Sequence, residues 1–399
     1  MIIVSVRHAF LLSLLAWFAT LCQLSLAALK LLDNLPPKLQ LYIGGSTKDV
    51  KLFSFDTAQG TFALQKVSDA LGPNVSWLEF DKTNRFLFST SIANFDRRER
   101  TGGIFSALVA ADGTLQRINA VPSPEAPVSL EISPDGKLLM VATFNGASVT
   151  TYKIFADGKL SFPVQNFTFF GSGPIQSRQA AASAHQVKLD PSGRLLLIPD
   201  LGSDTIRSFS LERNGNLVRS SDIAIKPGCA PRHVVFAPPR KGHPLRFYMI
   251  CELTNEILLI ELPDIKPKTA ALKQIMSTLP QGANPKTFNA AELLITPDGK
   301  FIYSLNQQKD PAGRVDDNTF AIYSRNDEND QLTPVGFVPS GGKGPRQFAF
   351  SPDKAASFIV VTCHESNLVT IHRRDATSGA LNQVASVPSE GPEIALFRV

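Results

Sequence analysis

Residues 291–306 read AELLITPDGKFIYSLN: an apolar run, the turn sequence Thr-Pro-Asp-Gly, and a second apolar run. Pro sets φ at the first corner, and Asp-Gly tolerates the positive φ that a tight hairpin turn needs. Both arms are too short for a helix and rich in strand formers, so the stretch reads as a β-hairpin. Five other segments follow the same plan: SWLEFDKTNRFLFSTS (76–91), VSLEISPDGKLLMVAT (128–143), HQVKLDPSGRLLLIPD (185–200), RHVVFAPPRKGHPLRFYMICE (232–252) and RQFAFSPDKAASFIVVTC (346–363).

A third apolar strand follows each hairpin, as in SVTTYKIF (148–155), TIRSFSLE (205–212), EILLIEL (256–262) and LVTIHRR (368–374). A weaker fourth comes after it, as in GKLSFPV (158–164) or GALNQVASV (379–387). The turn prolines Pro134, Pro191, Pro238, Pro297 and Pro352 are spaced 47 to 59 residues apart. A four-stranded antiparallel unit of about 50 residues is the length of a propeller blade. Residues 39–67 supply only three strands of a further blade, and PEIALFRV (392–399) is one strand left over. If the last strand completes the first blade, the ring closes at seven and no edge stays open. The expectation is an all-β, seven-bladed propeller.

The first residues set the expected compartment. Arg7 and His8 precede an apolar run from Ala9 to about Leu21, and Ser25-Leu26-Ala27 has the small residues of a cleavage site. This is the layout of a secretory leader, residues 1–27, shorter than a membrane span. Residues 28–399 would then be one secreted domain with no membrane attachment after cleavage, acting as a monomer. Asn74-Val75-Ser76 and Asn166-Phe167-Thr168 are glycosylation sequons suited to that route, with Asn74 just ahead of the second blade. Outside the leader remain Cys229, Cys251 and Cys363, an odd set in which at most one pair can close.

A net charge of +5 with no dense Lys/Arg run gives no basic stripe for nucleic acid. The sequence has no phosphate-binding loop, HExxH or GxSxG motif, and Cys363-His364 alone is a poor metal site. No metal or cofactor is expected.

In a propeller the first strand of each blade lines the channel and the second runs back beside it. The start of one and the end of the other therefore share a rim. Those positions hold His185 and Asp200 in blade 4, Arg232, His233 and Glu252 in blade 5, Glu292, Asn306 and Gln307 in blade 6, and Arg346 and His364 in blade 7. Asp200, His233 and Glu292 also suit ties between blades. His185, Arg232 and Glu252 make a base, a fixed cation and a carboxylate, a workable acid–base set.

At these residues the chain resembles the seven-bladed lactonase family, which includes bacterial propeller-type 6-phosphogluconolactonases and fungal carboxy-cis,cis-muconate cyclases. The resemblance rests on SWLEFD (76–81), FNGASVTTYKI (144–154), HQVKLDPSGRLL (185–196), PRHVVF (231–236) followed by CELTNEI (251–257), AELLITPDGKFIYSLN, and GPRQFAFSPD (344–353). It implies a site of His, Arg, Glu and a second Arg. His185, Arg232 and Glu252 fall on the first three, and Gln307 stands where the second Arg is usual. His364 likewise replaces a usual Gln in blade 7.

The resemblance implies a small-molecule lactone as substrate, with Gln307, Arg346, Glu292 and His364 as substrate-binding candidates. His185 would act as base on water or as acid on the ring oxygen. Arg232 would hold the oxyanion, and Glu252 would orient His185 or bind sugar hydroxyls. The leader and the missing second guanidinium point away from a phosphorylated lactone. Lys309 and Arg314 are the nearby cations that could replace it. A muconate-type cycloisomerase and a non-catalytic propeller binding carbohydrate or protein are the competing expectations.

Overall fold

The first strand of each blade pairs with its second, and the repeat is visible in the register. In the computed structural model, which describes residues 36–263, 270–310 and 312–398, seven antiparallel sheets follow one another along the chain. The expected leader and its cleavage point lie outside the described residues.

Blade 1 holds Lys38–Gly45, Val50–Asp56 and Phe62–Ser68, and its inner strand is Pro392–Phe397 from the far end of the chain. Leu41 pairs with Phe397 and Ile43 with Ala395, so the closure expected from the leftover strand is present. Blades 2 to 7 begin at Val75, Pro127, Lys188, Pro231, Phe288 and Pro345, and each runs outward through four strands. In blade 4 the outermost position is shared by two short strands, Leu217–Arg219 and Ile223–Ala224, both on Thr205–Leu211.

One strand lies elsewhere than expected. The fourth strand of blade 3 is Gln165–Thr168, not residues 158–164. Asn119 bonds the backbone of Leu160 in both directions, and a single bridge joins Leu160 to Ile154, so this segment turns back early. Phe162 and Val164 are left exposed.

The core lies between blades. Leu138, Met140, Leu196 and Ile198 pack blade 3 on blade 4, and Leu195, Leu197, Phe247 and Met249 pack blade 4 on blade 5. Second strands such as Phe358–Cys363 are therefore buried on both faces, whereas the outermost Leu332–Pro339 alternates with solvent. The hairpin turns keep the chemistry expected of them. Asp135 accepts from Ser133 Oγ (2.6 Å) and the Lys137 amide (3.1 Å). Gly136 has φ 73° with nothing within 4 Å of an added Cβ, so its backbone angle, not crowding, selects glycine.

The channel mouth is built by a recurring irregularity. The first strands of blades 2, 3, 5 and 7 shift register across one residue: Ser76, Val128, Arg232 and Arg346. The closing strand does the same at Glu393, and blade 6 bulges between Ala290 and Leu293. A bulge re-aims the extra side chain out of the sheet. Ahead of five of these residues, two positions back, the backbone is left-handed: Asn74, Ala126, Ala230, Gly344 and Gly391. Alanine there costs about 1 kcal/mol, a local strain held at the mouth.

Candidate active site

Six of these re-aimed or equivalent side chains, Ser76, Val128, His185, Arg232, Arg346 and Glu393, converge on the floor of the mouth. Above it opens a cleft of about 480 Å³, lined among others by Phe144, Arg178, His185, Arg232, Glu252, Gln307, Lys309 and Arg346.

His185 precedes the regular part of its strand, which is only Lys188–Leu189. Its amide donates to Pro199 O (2.9 Å) and Ala184 bridges Asp200, which fixes the segment without a full ladder. The imidazole meets Phe144 edge-on at 5.6 Å and His233 at 5.0 Å between centroids. Its Nδ1 is buried and has no hydrogen-bond partner. Burial first, then the charges of Arg232, His233 and Arg346, hold its pKa well below the ordinary imidazole value. It is a neutral base at neutral pH.

Arg232 is 5% exposed. Its Nε faces Glu252 Oε2 at 3.2 Å, its Nη1 donates to Ala291 O at 2.7 Å, and that same nitrogen lies 3.2 Å from His233 Nε2. Nη2 makes no hydrogen bond to a described residue, which leaves one N–H pair of a fixed cation toward the cleft. Glu252 gives Oε2 to Arg232 and Oε1 to Arg178. It makes no hydrogen bond to His185, so orienting the imidazole is not its place in this geometry.

Glu292 accepts from His233 Nδ1 at 2.6 Å and from the Leu293 amide at 2.9 Å, tying blade 5 to blade 6 on the channel floor. Asp200 is fully buried, holding Arg207 (2.8 Å) and the Ser183 amide (2.7 Å). Asn306 is buried against Thr278 and Thr319 and stays out of the cleft lining. Gln307 reaches the cleft, but its Nε2 donates to Pro345 O at 3.0 Å.

Arg346 pairs with Glu393 at 2.7 Å, and His364 Nδ1 lies 3.7 Å from the same carboxylate, outside the cleft lining. Lys309 lines the cleft and pairs with Glu365 at 3.1 Å, whereas Arg314 is exposed beside Asp316. Asn74 is half-buried in its left-handed turn, and Asn166 is exposed on the outer strand of blade 3.

Three features were not read from the sequence. Glu393 repeats the pattern of Ala230-Pro231-Arg232 and Gly344-Pro345-Arg346 as Gly391-Pro392-Glu393, a signal that could have found it. Arg178 stands on a four-residue helix, Gln176–Gln179, in the crossover from blade 3 to blade 4, with no repeat to mark it. Cys229 and Cys251 form a buried disulfide beside Arg232 and Glu252, and Cys363 is free and buried. Among the described residues no group of three His, Cys, Asp or Glu is arranged to hold a metal ion.

The sequence matches the family described as lactonase, seven-bladed β-propeller, over residues 40–397. It is 28% identical to a 6-phosphogluconolactonase of Formosa agariphila, over 84% of this chain and 91% of that one. It is 25% identical to the 6-phosphogluconolactonase of Bacillus subtilis, over 87% and 93%. The structure superposes on a periplasmic gluconolactonase of Pseudomonas aeruginosa with a TM-score of 0.78 at 25% identity, covering 91% of this chain and 99% of that one.

Proposed function

We propose that this chain, which belongs to the seven-bladed β-propeller lactonase family, opens a sugar-type lactone ring by adding water. The observation that carries the reading is a neutral imidazole, His185, whose Nδ1 has no partner among the described residues, in one cleft with Arg232, a buried guanidinium that keeps one N–H pair uncommitted.

His185 takes a proton from water as the water oxygen bonds to the lactone carbonyl carbon. The carbonyl oxygen takes the negative charge, and Arg232 stabilises it there. When the tetrahedral intermediate collapses, the ring C–O bond breaks. The proton held by His185 passes to the departing ring oxygen, giving the hydroxy acid. Surroundings that disfavour the imidazolium keep the resting base free and make the protonated form a ready acid. One residue thus serves both roles in sequence. Glu252, clamped between Arg178 and Arg232, fixes the oxyanion donor rather than the base.

The same reading makes the protein a secreted, metal-independent monomer of residues 28–399. A buried disulfide suits an oxidising compartment. No described helix is long and apolar enough to cross a membrane, and one structural neighbour is periplasmic.

Lactone opening followed by pH-stat, with spontaneous hydrolysis subtracted, tests the proposal. Turnover that survives EDTA and is lost in Arg232→Ala is the expected result. No rate above background on neutral, carboxylated or phosphorylated lactones would overturn it. N-terminal sequencing of the exported chain should find Ala28 first.

A further inference from the structure

The cleft is lined by four cations, Arg178, Arg232, Lys309 and Arg346, against a single lining carboxylate, Glu252. Two of the four are balanced by carboxylates outside the lining: Arg346 by Glu393 at 2.7 Å and Lys309 by Glu365 at 3.1 Å. Arg178 and Arg232 share Glu252, one oxygen each. Within the lining one positive charge is left over, with Glu292 below it on the channel floor. Because Arg232 is buried and its one open N–H pair is the oxyanion donor of the reading above, the accessible excess belongs to Arg178, whose side chain is 42% exposed against 7% for Glu252.

The position of Arg178 is built. The preceding chain makes no regular strand, yet Gln179, fully buried, donates to Leu201 O at 3.0 Å and to Asp204 Oδ1 at 2.8 Å. Its carbonyl accepts from the Gly173 amide, closing the loop on itself. Arg178 is therefore held over the cleft from its neighbour's anchor. One of its nitrogens is on Glu252, and the other N–H groups of the fork have no described partner. Gln307, where the resemblance expects a guanidinium, carries no charge and is turned onto Pro345 O.

We propose that Arg178 is the specificity-determining cation of this site, receiving an acidic group, carboxylate or phosphate, carried by the lactone away from the reacting carbonyl. A planar guanidinium with open N–H groups matches either oxyanion through paired hydrogen bonds. The substrate is then an anionic lactone, and the cation absent at Gln307 is supplied from the crossover loop. This inference rests on the lactone-opening reading.

The test compares three lactones of one sugar, neutral, carboxylated and phosphorylated at the far carbon, on the full chain and on Arg178→Gln and Arg178→Lys. Arg178→Gln should lower kcat/KM for the acidic lactones about thirtyfold more than for the neutral one, the extra loss falling mainly on KM. Arg178→Lys should restore part of the loss. Which acidic lactone the wild type prefers, and loses, identifies the group.

Equal losses on all three lactones would mean that Arg178 only props Glu252 and Arg232, and would overturn the inference. So would a wild type that opens the neutral lactone as well as the acidic ones. If no lactone is opened, calorimetry with the three ring-opened acids separates the two failures. Tighter binding of the diacid or phospho-acid that is lost in Arg178→Gln upholds the anion site without the hydrolysis. Equal binding of all three in both proteins overturns it.

Discussion

Blades 5 and 7 begin alike and end in different chemistry. Ala230-Pro231-Arg232 and Gly344-Pro345-Arg346 share the left-handed residue, the strand-opening proline and the bulged arginine. The second strands end in Cys251-Glu252 and Cys363-His364, with Pro231 opposite Cys251 and Pro345 opposite Cys363. In blade 5 the glutamate meets the arginine of its own blade, Ala291 O caps it, and Cys229 staples the pair from beside. In blade 7 a histidine stands at that place, and the carboxylate comes from the closing strand as Glu393. Where blade 5 has a disulfide, Gly342 abuts Cys363, and an added Cβ would lie 2.8 Å from its sulfur. The repeat aims the side chain; the non-repeated neighbours decide whether it becomes a buried cation or one 36% exposed.

The sharpest break of the comparison is therefore a matched pair of truncations. Arg232→Ala should reduce kcat a hundredfold or more, because a fixed oxyanion donor contributes about 3–4 kcal/mol. Arg346→Ala, removing an arginine of the same local geometry, should cost about tenfold, the low end for one charge-assisted hydrogen bond. Steady-state kinetics on one lactone settles both. Equal losses would mean that position in the repeat, not surroundings, sets the role.

Removing the staple comes next. Replacing Cys229 and Cys251 together by Ala opens a link across 22 residues and should cost about 3 kcal/mol of stability. A several-fold loss of kcat should accompany it as Arg232 and Glu252 loosen. Cys363→Ala, in the unlinked blade, should leave kcat unchanged and lower stability by about 1 kcal/mol. Chemical denaturation and kinetics on both variants check this. Unchanged kcat in the double variant would show that packing alone positions the pair.

The same contrast sets a pH dependence. In the proposed mechanism His185 acts as the neutral base, and burial together with Arg232, His233 and Arg346 lowers its pKa. Protonation, which silences it, is therefore delayed, and kcat/KM should stay level from neutral pH to well below 6.5 before it falls. Arg346→Gln removes one of the charges that push the pKa down, so its acid limb should move up toward 6.5. A limb that does not move would mean that burial alone sets the value.

The ring was legible from the sequence because its determinants are local and recur: turn prolines, Asp-Gly corners and paired apolar runs. His185, Arg232 and Glu252 were legible because strand ends of successive blades must share a rim. Glu393 was within reach of the same reasoning but sits on the strand that closes the ring, 47 residues beyond Arg346 in the chain. Arg178 was not legible, since nothing in Gln176–Gln179 repeats and its anchor is a tertiary bond to Asp204. The partners that divide one cleft into balanced and unbalanced charges are likewise tertiary, and strand periodicity carries no word of them.

Three residues past the bulges of blades 2, 3, 5 and 7, and past the equivalent His185 of blade 4, the comparison continues down the channel, where blades 5 and 7 carry Val235 and Ala349 but blades 2, 3 and 4 carry Glu79, Glu131 and Lys188. Lys188 bridges Glu131 at 3.0 Å. Glu79 has no such bridge, and burial together with the charge of Glu131 pushes its carboxyl up to about 8. The folded chain thus keeps a proton that the unfolded chain releases above the ordinary carboxylate value. This group's contribution is fully present below about pH 4.5 and is lost as pH rises toward 8. Glu79→Gln abolishes that titration. Its stability relative to wild type should rise steadily between pH 5 and 8, while turnover stays unchanged because Glu79 does not line the cleft. Urea unfolding of both proteins at several pH values measures it. A difference that is flat in pH would mean Glu79 is ionised in the fold, with Lys188 serving both carboxylates.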